Sequence, residues 1–180
     1  MLPLGQLRNT TDNDLELIRS WRNAPEIASK MYTRHTISAN EHRAWWLRVC
    51  ASNDQAHFIY ENAGIAFGVV NFTKIDRTNE NCFWAFYANP SAPRGTGSCM
   101  EYLALEYAFT KLQLKKLSCE VLSFNESVIK LHKKFGFREE GVFRKHHKIG
   151  DQFVDVIRLG ILDIEWIDAK KSVTSAFKET

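Results

Sequence analysis

The sequence predicts a mixed α/β fold, a central sheet of about seven strands flanked by helices. Two observations carry that prediction. The periodicity of apolar residues changes from helical to alternating and back along the chain. A glycine-rich turn, Arg94-Gly95-Thr96-Gly97-Ser98, then joins an aromatic, β-branched run to a long apolar helical run. At 180 residues the chain suffices for one sizeable core, burying roughly 70% of the surface its unfolded form exposes. No linker or composition shift marks a boundary, so residues 1–180 are expected to form one domain whose tail frays from about residue 168.

The elements follow in order. Residues 4–8 read as a short strand, after which Thr11, Asp12, Asn13 and Asp14 offer capping side chains to the amphipathic run Leu15, Leu17, Ile18, Trp21. Pro25 interrupts that helix, and Ser38 with Glu41 forms a capping box opening a second helix through Trp45, Trp46 and Val49. Residues 57–61, 65–73 and 82–88 alternate as a three-stranded antiparallel meander. Beyond the glycine-rich turn, Met100, Leu103, Leu105, Tyr107 and Phe109 mark a largely buried helix. Residues 116–122 read as a strand and 125–135 as a helix ended by Gly136. Two more strands, 137–142 and 152–162, and a terminal helix from Trp166 complete the list.

Composition excludes little beyond disorder. The chain is 44% apolar and 25% charged, and 24 Lys and Arg against 21 Asp and Glu give a net charge of only +3. A few small anionic ligands satisfy that balance as well as RNA does. The densest basic stretch, Arg144 to Lys148, holds His146 and His147 and reads as an exposed loop or strand end with no accompanying metal ligands. Cys50, Cys82, Cys99 and Cys119 lack CxxC pairing and are expected to be free thiols. No leader or stretch of about 18 uncharged apolar residues is evident, which makes the cytoplasm the expected address.

The strand, glycine-rich turn and buried helix suit a pyrophosphate, because glycine lets the backbone approach closely and the first amides of a helix point outward unpaired. A P-loop is excluded, since Ser98-Cys99 stands where Lys-Ser/Thr is needed. A dinucleotide fold is disfavoured by Met100 in place of the third glycine and by the antiparallel strands before the turn.

The second informative segment runs Asn125-Glu126-Ser127-Val128-Ile129-Lys130-Leu131-His132-Lys133-Lys134-Phe135-Gly136-Phe137. Together the two segments resemble the GNAT N-acetyltransferase superfamily, with a likeness in order that spans nearly the whole chain. The resemblance implies acetyl-CoA as co-substrate, no metal, and CoA contacts from Arg94, Gly95, Thr96, Gly97, Ser98, Asn125 and Tyr87. Two positions depart from the family pattern: Ala92 replaces the usual Gln or Arg before the turn, and His132 replaces the Tyr seven residues after Asn125. Acetyl transfer needs a free amine, a polarised carbonyl and a proton for the departing thiolate. Glu120 matches the carboxylate that takes the amine's proton. His132, on the stripe Val128, Leu131, His132, Phe135, turns inward and is the candidate acid, against the alternative of a core histidine with water as the acid. No Cys or Ser has a context marking an activated nucleophile, so direct attack is expected, with a backbone amide of residues 86–88 polarising the carbonyl.

The amino-terminal half is similar to the N-acetyltransferases of the pseudaminic acid pathway, through Trp21-Arg22-Asn23-Ala24-Pro25, Met31-Tyr32-Thr33, Ile37-Ser38, Glu41-His42 and Thr73-Lys74. Those enzymes acetylate the 4-amino group of a UDP-linked 4-amino-4,6-dideoxy-N-acetyl-altrosamine for flagellin glycosylation. The resemblance implies that Arg22, His42, Thr73, Lys74 and Tyr87 hold the diphosphate, and that Met31 and Tyr32 line the sugar pocket. Trp45, Trp46, Phe58, Phe67 and Phe83 read as packing. Trp45 and Trp46 cannot both face inward, which leaves one as a homodimer contact or as the roof of the cleft. Acetylation of ribosomal-protein amino termini, drug or polyamine acetylation, a non-catalytic CoA-binding module and RNA binding are the alternatives. Neither nucleic acid nor membrane is an expected partner.

Overall fold

The computed structural model describes residues 3–178. It contains a seven-stranded sheet in the order β1-β2-β3-β4-β5-β7-β6, antiparallel throughout except for the parallel pair β4 and β5. The strands are β1 (Gln6–Asn9), β2 (Ala56–Asn62), β3 (Ile65–Asp76), β4 (Asn81–Ala88), β5 (Lys116–Leu122), β6 (Arg138–Ile149) and β7 (Gln152–Leu162). The helices are α1 (Leu15–Asn23), α2 (Pro25–Ala28), α3 (Ala39–Ala51), α4 (Thr96–Glu106), α5 (Glu126–Lys134) and α6 (Asp163–Lys178). The mixed fold and the meander β2-β3-β4 agree with the sequence reading. None of the described helices is long and apolar enough to cross a membrane.

Strand alternation sorts the core into two faces. Phe58, Val70, Phe72, Cys82, Trp84, Leu117, Cys119 and Leu159 meet α4 through Met100, Ala104 and Leu105, α5 through Leu131, and α6 through Trp166 and Val173. Ile59 and Val69 on the other face meet Ile18, Trp21 and Ile27 of α1 and α2. A third small cluster joins Leu15 to Trp46 and Val49 of α3. Of the tryptophan pair, Trp46 is buried with its Nε1 donating to Asp12 at 2.6 Å, while Trp45 is half-buried and stacks on His42.

Several boundaries differ from the expectation for identifiable reasons. The first strand spans residues 6–9, its length set by pairing with Phe58 to Glu61 of β2. Ser38 accepts from the Glu41 amide at 3.2 Å, but the Glu41 carboxylate bonds His35 at 2.9 Å, so only half of the capping box forms. Asn125 occupies the N-cap position of α5 without a side-chain cap bond. The long buried helix closes in a π turn over Tyr107–Lys111. β6 runs to Ile149, because β7 pairs with it as far as Gln152, so the basic stretch lies on an edge strand. The tail is helical to Lys178; its last two residues lie outside the described ones, as do Met1 and Leu2.

The feature that shapes the site is the parallel pair. Asn81, Cys82 and Phe83 pair with Lys116, Leu117 and Ser118, and there the described ladder stops. Beyond Phe83 and Ser118 the strands continue as Trp84 to Ala88 and Cys119 to Leu122 without pairing to each other. A slot therefore passes through the sheet, with α4 and α5 on one side and the segment that follows α2 on the other.

α4 reaches this slot because β3 carries glycine beneath it. A Cβ at Gly68 would lie 2.6 Å from Met100 Cε and 2.8 Å from the Tyr87 carbonyl oxygen. Gly68→Ala must move backbone as well as the Met100 side chain, and a loss of about 1–3 kcal/mol is expected. Thermal or urea unfolding of the variant measures it.

Candidate active site

On the helix side, Gly95 at φ +97 turns the chain into α4, a conformation that L side chains rarely adopt. Thr96 N–H bonds the Pro93 carbonyl and Cys99 N–H begins the ladder to Gly95. The first-turn amides between them face outward, as at any helix start, beside exposed Arg94 and half-buried Ser98. The backbone at Gly97 approaches Leu131 of α5 and Phe86 of β4, at 3.4 and 3.7 Å from a built Cβ. The turn thus lies at the slot, and its open backbone suits a pyrophosphate.

Under the turn lies His132, 3% exposed. Its Nδ1 is 2.8 Å from Oε1 of Glu101, which is 0% exposed. The rings of Trp84, Phe86 and Phe137 surround the imidazole at 5.4, 5.9 and 5.1 Å. Burial by itself lowers the affinity of the imidazole for a proton, but the Glu101 charge and the Cys119 thiol outweigh it, and the group is pushed up to about 10. Burial also raises the Glu101 carboxyl.

On the opposite face, Glu120 sits on β5 with both oxygens engaged. The Tyr32 phenol donates to Oε2 at 3.1 Å and Arg158 to Oε1 at 3.0 Å. Burial and the nearby Glu120 charge hold the Tyr32 phenol above its ordinary value. The Tyr32 ring lies 4.8 Å from His147. Arg158 also covers the Phe83 ring at 4.0 Å, with Lys74 Nζ at 5.1 Å from the same ring. Beside them, Lys74, Asn53, Asp54, Arg77, Asn81 and Phe83 line a cavity of 590 Å³. Farther along β4, Tyr87 stands next to Arg22, whose NH2 donates to the Thr33 carbonyl at 2.8 Å. The Arg22 NH1 is buried with no partner among the described residues. Met31 packs with Tyr87 against the α1 cluster.

An acetyltransferase (GNAT) domain model matches residues 7–157. The chain belongs to the GNAT acetyltransferases. Among its relatives, Acetyltransferase PseH of Campylobacter jejuni is 27% identical over 137 residues, 76% of this chain and 85% of that one. Spermidine N(1)-acetyltransferase of Escherichia coli K12 is 26% identical over 166 residues, 89% of this chain and 82% of that protein. The crystal structure of the Vibrio cholerae spermidine N-acetyltransferase in complex with CoA and spermine superposes with a TM-score of 0.84 at 25% identity, covering 90% of this chain and 97% of that one. As a GNAT enzyme the protein is an acetyl-CoA-dependent N-acetyltransferase, as the sequence resemblance implied, and the alternative of a non-catalytic module is set aside. Among the described residues no cluster of three or more His, Cys, Asp or Glu could hold a metal ion.

Set against the GNAT frame, the residues singled out from sequence divide into groups. The structure brings Tyr32 to Glu120 and Arg22 to Tyr87. Thr73 and Lys74 lie near Phe83, about 13 Å along the strand from the Tyr87 pair, given roughly 3.3 Å per residue. His42 is apart from both, buried on α3, stacked on Trp45 and close to Arg19 and Glu16. His132 faces Glu101 on the helix side, and Asn125 takes a 3.4 Å bond from the Ser127 hydroxyl. Arg158 and Glu101 were not singled out, His147 was read only as an exposed loop or strand end and Cys119 only as a free thiol, and Phe83, read as packing, carries two cations on its ring. The pairing of Glu120 with Arg158 rests on the β5/β7 register, which no local pattern encodes. Of these, only Glu101 left a trace in the sequence, as a carboxylate inside an otherwise apolar helical run.

The four cysteines provide a check on this packing. Cys50 is exposed and Cys82, Cys99 and Cys119 are buried, with burial pushing the Cys82 thiol up to about 12. A disulfide-exchange reagent is expected to modify Cys50 rapidly in the native protein and the other three only after unfolding. Rapid modification of Cys119 would contradict the packing around His132.

Proposed function

We propose that this enzyme acetylates the 4-amino group of a UDP-linked 4-amino-4,6-dideoxy-N-acetyl-altrosamine, as the acetyltransferase of the pseudaminic acid pathway. The observation that carries this reading is Arg22. Its half-buried guanidinium keeps one nitrogen without a partner beside Tyr87, and a buried cationic donor in that state calls for an anion. Lys74 and Arg77 line the neighbouring cavity together with Asp54, which accepts from the Ser52 hydroxyl, and Asp76, whose oxygens accept from the Thr78 and Asn79 backbone amides and the Asn79 side chain. The segment likeness at Arg22, Met31, Tyr32 and Thr73-Lys74 and the relative from C. jejuni point the same way.

The second reading is a polyamine, favoured by the relatives that acetylate spermidine. A polyamine carries several cations and needs several unengaged carboxylates. The carboxylate at the slot on this face, Glu120, is already matched by Arg158. That electrostatic balance favours the anionic substrate.

In the proposed mechanism, Gly95, Thr96, Gly97 and Ser98 with Arg94 hold the CoA pyrophosphate, and Asn125 and the backbone at Tyr87 flank the thioester at the slot. The amine enters from the other face, against Tyr32 and Met31. Glu120 exchanges its bond to Tyr32 for the ammonium, accepts its proton, and leaves the lone pair to attack the acetyl carbonyl. An amide of β4 beyond the last pair with β5 stabilises the developing oxyanion. The tetrahedral intermediate loses the second nitrogen proton to water and collapses by breaking the C–S bond, the thiolate takes its proton from His132, and Glu120 returns the proton it accepted to solvent.

Release of free CoA thiol tests this reading with the UDP-4-amino sugar, spermidine and a ribosomal amino-terminal peptide side by side. Turnover confined to the sugar nucleotide is expected, and a preference for spermidine would overturn the assignment. Arg22→Ala is expected to raise KM for the sugar nucleotide about 10- to 100-fold with kcat little changed. Glu120→Gln is expected to lower kcat about 100-fold at neutral pH with acetyl-CoA affinity retained, as isothermal titration would show.

A further inference from the structure

We infer that Glu101 is a positioning residue for acetyl transfer, holding His132 as a proton-bearing imidazolium with its second ring nitrogen directed away from α4. The inference rests on the reading of His132 as the proton donor to the thiolate and supplies what that reading lacks. A histidine buried among Trp84, Phe86 and Phe137 would, without a charged neighbour, be neutral at pH 7 and have no proton to spare.

Glu101 belongs to α4, the helix that opens at the glycine-rich turn, and lies five residues after Thr96 on the buried side. Its Oε1 fixes Nδ1 of His132 at 2.8 Å, which sets the ring's orientation. The Cys119 thiol of β5 is the other side-chain partner of the imidazole. β4 presents Trp84 and Phe86, and the segment after α5 presents Phe137, so the titratable groups facing His132 from the elements around it are Glu101 and Cys119. Oε2 of Glu101 and Nε1 of Trp84 are both buried without a partner among the described residues. A purely structural carboxylate is usually fully hydrogen-bonded when buried. This one has its single bond to the imidazole, as expected of a group whose task is that ring.

The pair is a coupled unit sharing a proton. Because the Glu101 charge raises the imidazole against the effect of burial, the ring holds its proton through neutral pH. Without the Glu101 charge, burial, the largest single cause, is opposed by Cys119 alone, and the ring holds its proton less tightly. Donation to the CoA thiolate leaves a neutral imidazole, which regains its proton from solvent before the next turnover.

The test is nitrogen NMR of 15N-histidine-labelled protein from pH 5.5 to 8.5, with His132 assigned by His132→Phe. Wild type is expected to show imidazolium shifts at His132 throughout. Glu101→Gln is expected to show a neutral ring at pH 7, and Glu101→Asp to restore the charged form at least in part. A neutral His132 in wild type, or a charged one in Glu101→Gln, overturns the inference whatever the substrate proves to be. Should Glu101→Gln fail to fold, as circular dichroism would reveal, the wild-type spectrum and Glu101→Asp decide. With any amine that turns over, Glu101→Gln is expected to lower kcat at least 10-fold with unchanged KM for acetyl-CoA and to shift the pH profile. If NMR shows the charged pair in wild type and its loss in the variant while kcat is unaffected, Glu101 sets the charge of the ring but not acetyl transfer, and the inference falls together with the donor role of His132.

Discussion

Parallel pairing of β4 with β5 ends after Phe83 and Ser118, and the candidate site residues gather on both sides of the place where it ends. Backbone groups along a strand ordinarily find partners on both sides. Where two neighbouring strands diverge, the inner edges are left facing a gap with unpaired amides, and that gap joins the two faces of the sheet. The divergence is maintained by what flanks it. α4 packs onto β3 over Gly68, and α5 seats His132 among Trp84, Phe86 and Phe137.

The two faces are chemically unlike. On the helix side lie an outward-facing helix start and a dry histidine–glutamate pair. On the other side lie a carboxylate bridged by tyrosine and arginine, an arginine nitrogen unpartnered among the described residues, and a polar cavity lined by both charges. The proposed transfer would use that separation, each substrate meeting groups on its own face and the two joining only at the reacting atoms.

Much of the architecture was legible in one dimension. The meander, the strand of residues 116–122 and the glycine-rich turn before a buried helix all follow from local periodicity and turn chemistry. The edge strand β6 was cut short in that reading because its residues alternate poorly: Arg138 to Ile149 is exposed along nearly its whole length, having a partner on one side alone. Phe83 was assigned to packing for the opposite reason. Its strand spacing is that of a core residue, and nothing local reveals that its face of β4 meets Arg158 and Lys74.

What the sequence by itself determined is the order of elements, the glycine-rich turn, and the inward stripe that carries His132, since each depends on residues within a few positions of one another. What only the tertiary structure decided is which side chains meet. Tyr32 and Glu120 are 88 residues apart, and Arg158 and Glu120 are 38 apart. Their contacts depend on the register of β5 with β7 and on the path of the chain after α2. The pairing of Glu101 with His132 across 31 residues is of the same kind. The physical reason is that propensity and capping act over one or two turns of chain, whereas a site assembled across two faces of a sheet is specified by the packing of the whole core.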